Sequence, residues 1–389
     1  MQDEPPPAKP ALLAVYNFTS SWFLIPQGTG ILATILHQLH YQFGALPILA
    51  KIVWIYAIVL LGLSLILYSL RIFLYPKHVV RQVRDNIVEA SCLSSIPIAF
   101  SCIVQMIALQ YDGSADLVAY ILWWISTAFS IISVIGVPYM QLKMQPSGIE
   151  NMPPTFLLPI ISILTSAAVG GTICQNSSLS VRLQVPAIIV SYLELGTGIA
   201  LAICIDACII YHHFDQVYPE RNKAFQDMVL CGPFGQASFA LQILGSAVQS
   251  AFPKYQRGTL LQEAAAAPIA AVSQFSGLLS WGFGTFWWLF AILSILYTLR
   301  LQAGGWRNIN FSLTAWSLIF PWGVYTNAAV QLGTLMDSPA FYVWSTALLL
   351  MLLILWIINS IFTIKGIITG TIFSLEKGWR VPKTKHQTV

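Results

Sequence analysis

Charge is what this sequence has least of. Of its 389 residues only 9% are Asp, Glu, Lys or Arg, against about 25% in a soluble domain, while 57% are hydrophobic and the mean hydropathy is +0.72. That balance excludes a sizeable soluble domain and implies a polytopic membrane protein whose surroundings are the lipid bilayer. A cysteine framework is missing too. The six cysteines (Cys92, Cys102, Cys174, Cys204, Cys208 and Cys231) lie in or at the ends of apolar runs, without metal-ligand spacing or loop pairs, so neither a disulfide scaffold nor a metal site is implied. No cofactor is implied either. The first apolar run lacks a basic n-region and a small-residue exit and is followed at once by a second, which excludes a cleavable leader.

What is present is a series of ten apolar runs of spanning length, at 18–36, 46–74, 92–109, 117–140, 156–174, 185–211, 229–248, 267–299, 311–333 and 341–368. The basic residues between them are uneven. Only Lys51, Arg182, Lys254 and Arg257 fall in alternate segments, and all other Lys and Arg fall on the side of the termini, which puts the N and C termini in the cytoplasm. The net charge of +4 is therefore topological and no nucleic-acid signal. The expected organisation is a short N-terminal tail at 1–15, a ten-helix domain at 16–370 and a C-terminal tail at 371–389.

Every odd-numbered run contains a proline: Pro26 in "FLIPQGTG", Pro97 in "SSIPIAF", Pro159 in "FLLPIIS", Pro233 in "LCGPFGQ" and Pro321 in "LIFPWGV". The even runs are bulky, as in "TALLLMLLILWII". The prolines recur about once per hairpin, so the chain reads as five repeated helical hairpins. A proline inside a span leaves a carbonyl unpaired, which lipid cannot satisfy. The five odd helices therefore belong inside as a kinked ring, and the even helices outside as a shell. Small and hydroxyl residues follow the prolines: Gly28, Thr29 and Gly30; Ser166 and Gly170; Gly235, Gln236 and Ser238; Gly323, Thr326 and Asn327. They are suited to close helix packing or to lining a pore.

The cores of the odd runs hold no Asp, Glu, Lys, Arg or His. A charged filter and a buried carboxylate relay are unsupported, as is an intramembrane enzyme, which needs such residues on facing helices. A neutral path of hydroxyls, amides and bent backbone remains, and it suits an anion that exchanges water for weak donors. Phe320, immediately before Pro321, is from the residues alone either a packing residue or a plug at the bend. Glu194 and Asp206, both in the sixth run, are expected to hydrogen-bond to a neighbouring helix or subunit.

The stretches "FTSSWFLIPQGTGILATILHQLHYQFGALPILAKIVW", "LLPIISILTSAAVGGTI", "GPFGQASFALQ", "SWGFGTFWWLFAILSI" and "IFPWGVYTNAAVQLGTLMDSPAF" together resemble the tellurite-resistance/dicarboxylate transporter family, over about residues 15 to 370. The family includes slow anion channels, malate permeases and sulfite efflux pumps. The resemblance implies an all-α integral membrane fold of ten helices in five quasi-symmetric hairpins, with a pore through the inner ring. It also implies a homotrimer and a multi-pass plasma-membrane protein that moves a small inorganic or dicarboxylate anion. The family's gating phenylalanine matches "IFP", which carries the role of gate to Phe320 beside Pro321. The first stretch and "TLMDSPAF" look like the malate permeases, whereas "GPFGQAS" and "TSAAVGG" look more like the sulfite pumps. Sulfite efflux is therefore the first expectation and malate or C4-dicarboxylate transport the second, with a non-conducting membrane sensor a distant third.

Overall fold

The structure, a computed structural model, describes residues 6–145, 152–215, 224–301, 311–375 and 378–379. Parts of both expected tails, at 1–5, 376–377 and 380–389, lie outside it, and so do Arg221, Lys223, Arg307, Lys377, Arg380, Lys383 and Lys385 from the charge map. The described residues are almost entirely helical. A short helix α1 (Pro10–Tyr16) is followed by α2 (Leu24–Gln38), α3 (Leu46–Leu74), α4 (Pro76–Asp85), α5 (Ile87–Cys92), α6 (Ser95–Gln110) and α7 (Ser114–Met144). Then come α8 (Leu158–Asn176), α9 (Val181–Asp215), α10 (Cys231–Tyr255), α11 (Glu263–Leu301), α12 (Ile319–Met336) and α13 (Pro339–Thr369).

Among the described residues, eight helical segments are long and apolar enough to cross a membrane. The α2 and α12 helices, counted as spans from the sequence, are not among them. The reason is their surroundings. Leu24 to Leu36 of α2 and Ile319 to Val330 of α12 are buried throughout, so protein rather than lipid faces them and they are free to carry Gly, Thr, Gln and Asn. Burial alternates along the chain. In the most apolar window of α3, α7, α9, α11 and α13 between 22% and 39% of residues are buried, against 67%, 100% and 94% in the segments containing α6, α8 and α10.

The five buried helices form a closed ring. The α2 helix packs on α6, α6 on α8, α8 on α10, α10 on α12, and α12 returns to α2. Each outer helix lies over a seam, touching its hairpin partner and the next ring helix: α3 on α2 and α6, α7 on α6 and α8, α9 on α8 and α10, α11 on α10 and α12, α13 on α12 and α2. The outer faces, with Ile66, Ile132, Leu193, Leu279 and Ile354, are exposed and apolar, as a lipid-facing shell requires.

The prolines act at the start of each ring helix rather than within it. Pro26, Pro97, Pro233 and Pro321 are the third residues of α2, α6, α10 and α12, and Pro159 is the second of α8. The first turn of a helix has no use for their missing N–H. A proline ring also clashes with the carbonyl four residues back. Those residues are Trp22, Leu93, Thr155, Val229 and Ser317, each just ahead of its α-helix. There the chain changes character: 3-10 turns at Ser20–Phe23, Pro154–Leu157, Ala224–Leu230 and Leu313–Leu318, and the separate helix α5, lead into the five ring helices.

One buried ion pair anchors these lead-ins. Arg71 Nη1 donates to Glu89 Oε1 at 2.6 Å with both side chains almost fully buried. Glu89 also accepts from Tyr68 OH at 3.2 Å and from the Ser20 amide at 3.0 Å, while Ser20 Oγ donates to the Glu89 carbonyl at 2.7 Å. One carboxylate thus ties the segments preceding α2 and α6 to α3.

Candidate functional site: the axis of the helix ring

Contacts fix how each ring helix is rotated, and with 3.6 residues per turn they identify the side turned to the axis. In α12, a Cβ on Gly28 would lie 2.9 Å from Ile319 and one on Gly323 would lie 2.7 Å from Ile31, so Ile319 and Gly323 face α2. Tyr325 faces α10, because a Cβ on Gly235 would lie 2.8 Å from its amide nitrogen. Pro321 faces the same way, 3.5 Å from a Cβ on Gly232. Trp322 faces α13, donating to the Leu348 carbonyl at 3.2 Å. The remaining side, between α2 and α10, carries Phe320, Val324 and Asn327. Phe320 is 1% exposed.

The same reasoning orients the other four. In α2, Gly28 and Ile31 face α12, Gly30 faces α6 with a Cβ 2.8 Å from Cys102, and Thr29 accepts from Trp356 of α13 at 3.1 Å. Gln27 is left toward the axis. In α8, Ser162, Ser166 and Gly170 face α7, Leu164 faces α9 and Gly171 faces α10, which turns Thr165 and Thr172 inward. In α10, Phe234 and Ser238 face α11, where Ser238 donates to the Gly277 carbonyl at 2.7 Å. Gln236 and Phe239 are on the opposite side. In α6, Ser101 pairs with Ser126 of α7 and Cys102 meets Gly30, and Gln105 points inward to reach Thr172 at 3.2 Å.

The residues singled out in the sequence therefore separate into three groups. The five prolines start the ring helices. Gly28, Gly30, Gly235 and Gly323 lie in the seams between ring helices, where a Cβ would run into a side chain of the next helix or, at Gly235, into its backbone. Gly170 has the same role against the shell: a Cβ there would overlap Ser191 Oγ of α9 and lie 2.9 Å from Trp123 of α7.

The hydroxyls mostly serve the scaffold. Ser166 pairs with Thr127 at 2.8 Å while its carbonyl accepts from Trp123, and Thr326 and Thr29 donate to carbonyls of their own helices. Phe320, Gln236 and Asn327 alone of the group are turned to the axis, where Gln27, Gln105, Thr165 and Phe239 join them. Gln27, Gln105 and Phe239 escaped the sequence reading because small residues were sought rather than one helical face. Their signal is a heptad-like spacing from their neighbours, as in Phe320, Val324 and Asn327.

Burial inside the ring leaves polar atoms unpaired. Gln27 Oε1 and Asn327 Oδ1 have no hydrogen-bond partner, and Gln236, 2% exposed, makes no hydrogen bond among the described residues. Glu194 is buried beside Thr127 and Ser166, and Asp206 beside Trp287, both within one chain. Neither carboxylate has a partner in hydrogen-bonding geometry among the described residues.

Comparison with known proteins bears on what such a ring carries. The family model described as SLAC1, voltage-dependent anion channel, matches residues 17–364. A sulfite efflux pump of Arthroderma benhamiae is 28% identical over 93% of this chain and 94% of its own length. An uncharacterized transporter of Methanocaldococcus jannaschii is 23% identical over 92% of this chain and 97% of its own. A malic acid transport protein of Schizosaccharomyces pombe is 23% identical over 90% and 79%.

Proposed function

The chain belongs to the voltage-dependent anion channel family, and we propose that its ring of five helices is the path of a small anion and that Phe320 gates it. Family membership points to a channel or transporter rather than an enzyme. The observation that carries the gate is the rotation of α12, which turns the Phe320 ring toward the axis one residue before Pro321. The full reading has ten spans in five quasi-symmetric hairpins, both termini in the cytoplasm, a homotrimer and the plasma membrane. The alternation of buried and exposed helices and the ring closure support the spans and hairpins, the excess of basic residues supports the placing of the termini, and the trimer and the plasma membrane rest on the family resemblance alone.

The path is neutral. Gln27, Gln105, Gln236 and Asn327 supply side-chain amides and no fixed charge, so an anion meets weak donors that let it leave as readily as it enters. The substrate we propose is sulfite, moved outward down its gradient. It is supported by a sulfite efflux pump aligning over 93% of the chain at 28% identity, while a malic acid transport protein aligns at 23% and makes malate the alternative.

The test is efflux and uptake of labelled sulfite and labelled malate in cells without carriers for either, with wild type and Phe320→Ala. If the ring plugs the path, Phe320→Ala raises flux about tenfold or more, equivalent to removing roughly 1.4 kcal/mol of barrier. Unchanged flux in well-folded Phe320→Ala protein returns the residue to packing. Malate movement without sulfite reassigns the substrate.

A further inference from the structure

Two aromatic rings, not one, are turned to the axis, and they sit at different depths. Gly232 lies beside Pro321 and Gly235 beside Tyr325, so the two helices run in parallel and each residue of α10 is level with the residue of α12 numbered 89 or 90 higher. Gln236 is then level with Tyr325 or Thr326, and Phe239 with Ala328 or Ala329. At 1.5 Å of rise per residue, Phe239 lies about 13 Å beyond Phe320 along the ring, with Gln236 and Asn327 at about 8 to 10 Å. The α8 helix adds a hydroxyl there. Ile161 meets Gly232, and Gly171 meets Ile243 and Leu244, which sets Thr165 level with Gln236.

The polar atoms at this depth are of two kinds. Gln236 and Asn327 each carry an NH2 group with two donors that no group among the described residues engages. Asn327 Oδ1 is a buried acceptor without a partner. Thr165 donates its proton to the Ile161 carbonyl at 2.7 Å, so only its lone pairs remain for anything in the path. A buried amide oxygen left unpaired is costly, and an occupant with both oxygen acceptors and one O–H would satisfy it while accepting from the two NH2 groups. A halide or nitrate would engage the donors and leave Asn327 Oδ1 and Thr165 Oγ unmet.

Building on the anion path proposed above, we infer that the space between Phe320 and Phe239 is a binding site for a small oxyanion that retains one hydrogen. Its charged oxygens accept from Gln236 and Asn327, and its O–H donates to Asn327 Oδ1 or Thr165 Oγ. Phe239 is a second constriction on the far side of that site.

The probes are labelled sulfite in mildly acid medium, where it carries one hydrogen, and chloride, with full-length protein in liposomes. Phe320→Ala provides the open background. Into it are placed Asn327→Leu, Gln236→Leu and Phe239→Ala, each scored only if it elutes as the parent does. Asn327→Leu should lower the sulfite-to-chloride flux ratio about tenfold, the loss expected for a hydrogen bond to a charged group, and Gln236→Leu, which removes donors that both ions use, should lower both fluxes. Phe239→Ala should raise both fluxes and leave the ratio alone.

An unchanged ratio in Asn327→Leu with unchanged fluxes in Gln236→Leu overturns the site, and unchanged flux in Phe239→Ala overturns the second constriction. The two amides are on different helices, so if one variant fails to fold the other decides. The reading beneath fails separately: if Phe320→Ala itself passes neither ion, the anion path is wrong and this site with it, whereas a conducting Phe320→Ala with an unaltered ratio rejects the site alone.

Discussion

Gly235→Ala tests the ring where it is most tightly closed. A Cβ at this position would stand 2.8 Å from the Tyr325 amide nitrogen, 2.9 Å from its Cα and 3.1 Å from the Val324 carbonyl carbon. All three are backbone atoms, so no rotamer change makes room. Ordinary contact begins near 3.4 Å, and α10 and α12 would have to part by at least about 0.6 Å. Tyr325 resists such movement. Its ring stacks on Trp281 at 4.9 Å, its hydroxyl pairs with Thr285 at 2.8 Å, and its carbonyl accepts from Trp281 at 3.2 Å. Overpacking of this kind costs about 1–3 kcal/mol. Gly282 of α11 is the control, because a Cβ there meets nothing within 4 Å, and alanine gains up to about 1 kcal/mol of helix preference. Thermal unfolding in detergent at a fixed scan rate, since such unfolding is commonly irreversible, should move the two variants in opposite directions. A Gly235→Ala protein that melts at or above wild type would refute the close approach of α10 and α12, and with it the depth assigned to Gln236 and Phe239.

Two further outcomes follow from buried groups. Arg71→Met leaves Glu89 without its cation in a site that is almost fully buried, a loss of about 3–5 kcal/mol; yield and melting temperature should fall sharply, and adding Glu89→Gln should recover part of both because no lone charge remains. Gly170→Ala should lower the melting temperature, and Ser191→Ala in the same chain should relieve only part of the loss, since Trp123 still stands 2.9 Å from the added carbon; full recovery would show that Trp123 yields freely.

The sequence makes the membrane class, the odd-even alternation and the five proline positions readable, because lipid punishes unpaired carbonyls wherever they occur. It does not disclose which face of a ring helix meets the axis. A helix read from sequence is oriented by the contrast between its apolar and polar faces, and α8 has no such contrast: every residue from Leu158 to Cys174 is buried. Small residues then look alike whether they admit a neighbouring backbone, as Gly235 does, or serve the shell, as Ser166 does. Only contacts between helices separate them. The proline pattern marks the right segments but not the device, since the bend it suggests inside each span is realised as a change of helical pitch ahead of it.

The place where the ring closes explains why α12 depends on the beginning of the chain. Gly28 of α2 receives Ile319 of α12, and Gly323 of α12 receives Ile31 of α2, a reciprocal fit in which each helix offers one notch and one branched side chain. Trp356 of α13 adds a hydrogen bond to Thr29, and Trp316 ahead of α12 donates to Thr363 of α13 at 2.8 Å. Phe320 lies beside Ile319, so its direction is set by how deeply that isoleucine seats against Gly28. The rotation of α12 is therefore not fixed by its own sequence or by Pro321 alone. It is fixed by two glycines nearly three hundred residues apart, and any change that fills either notch should turn the Phe320 ring as well as loosen the ring of helices.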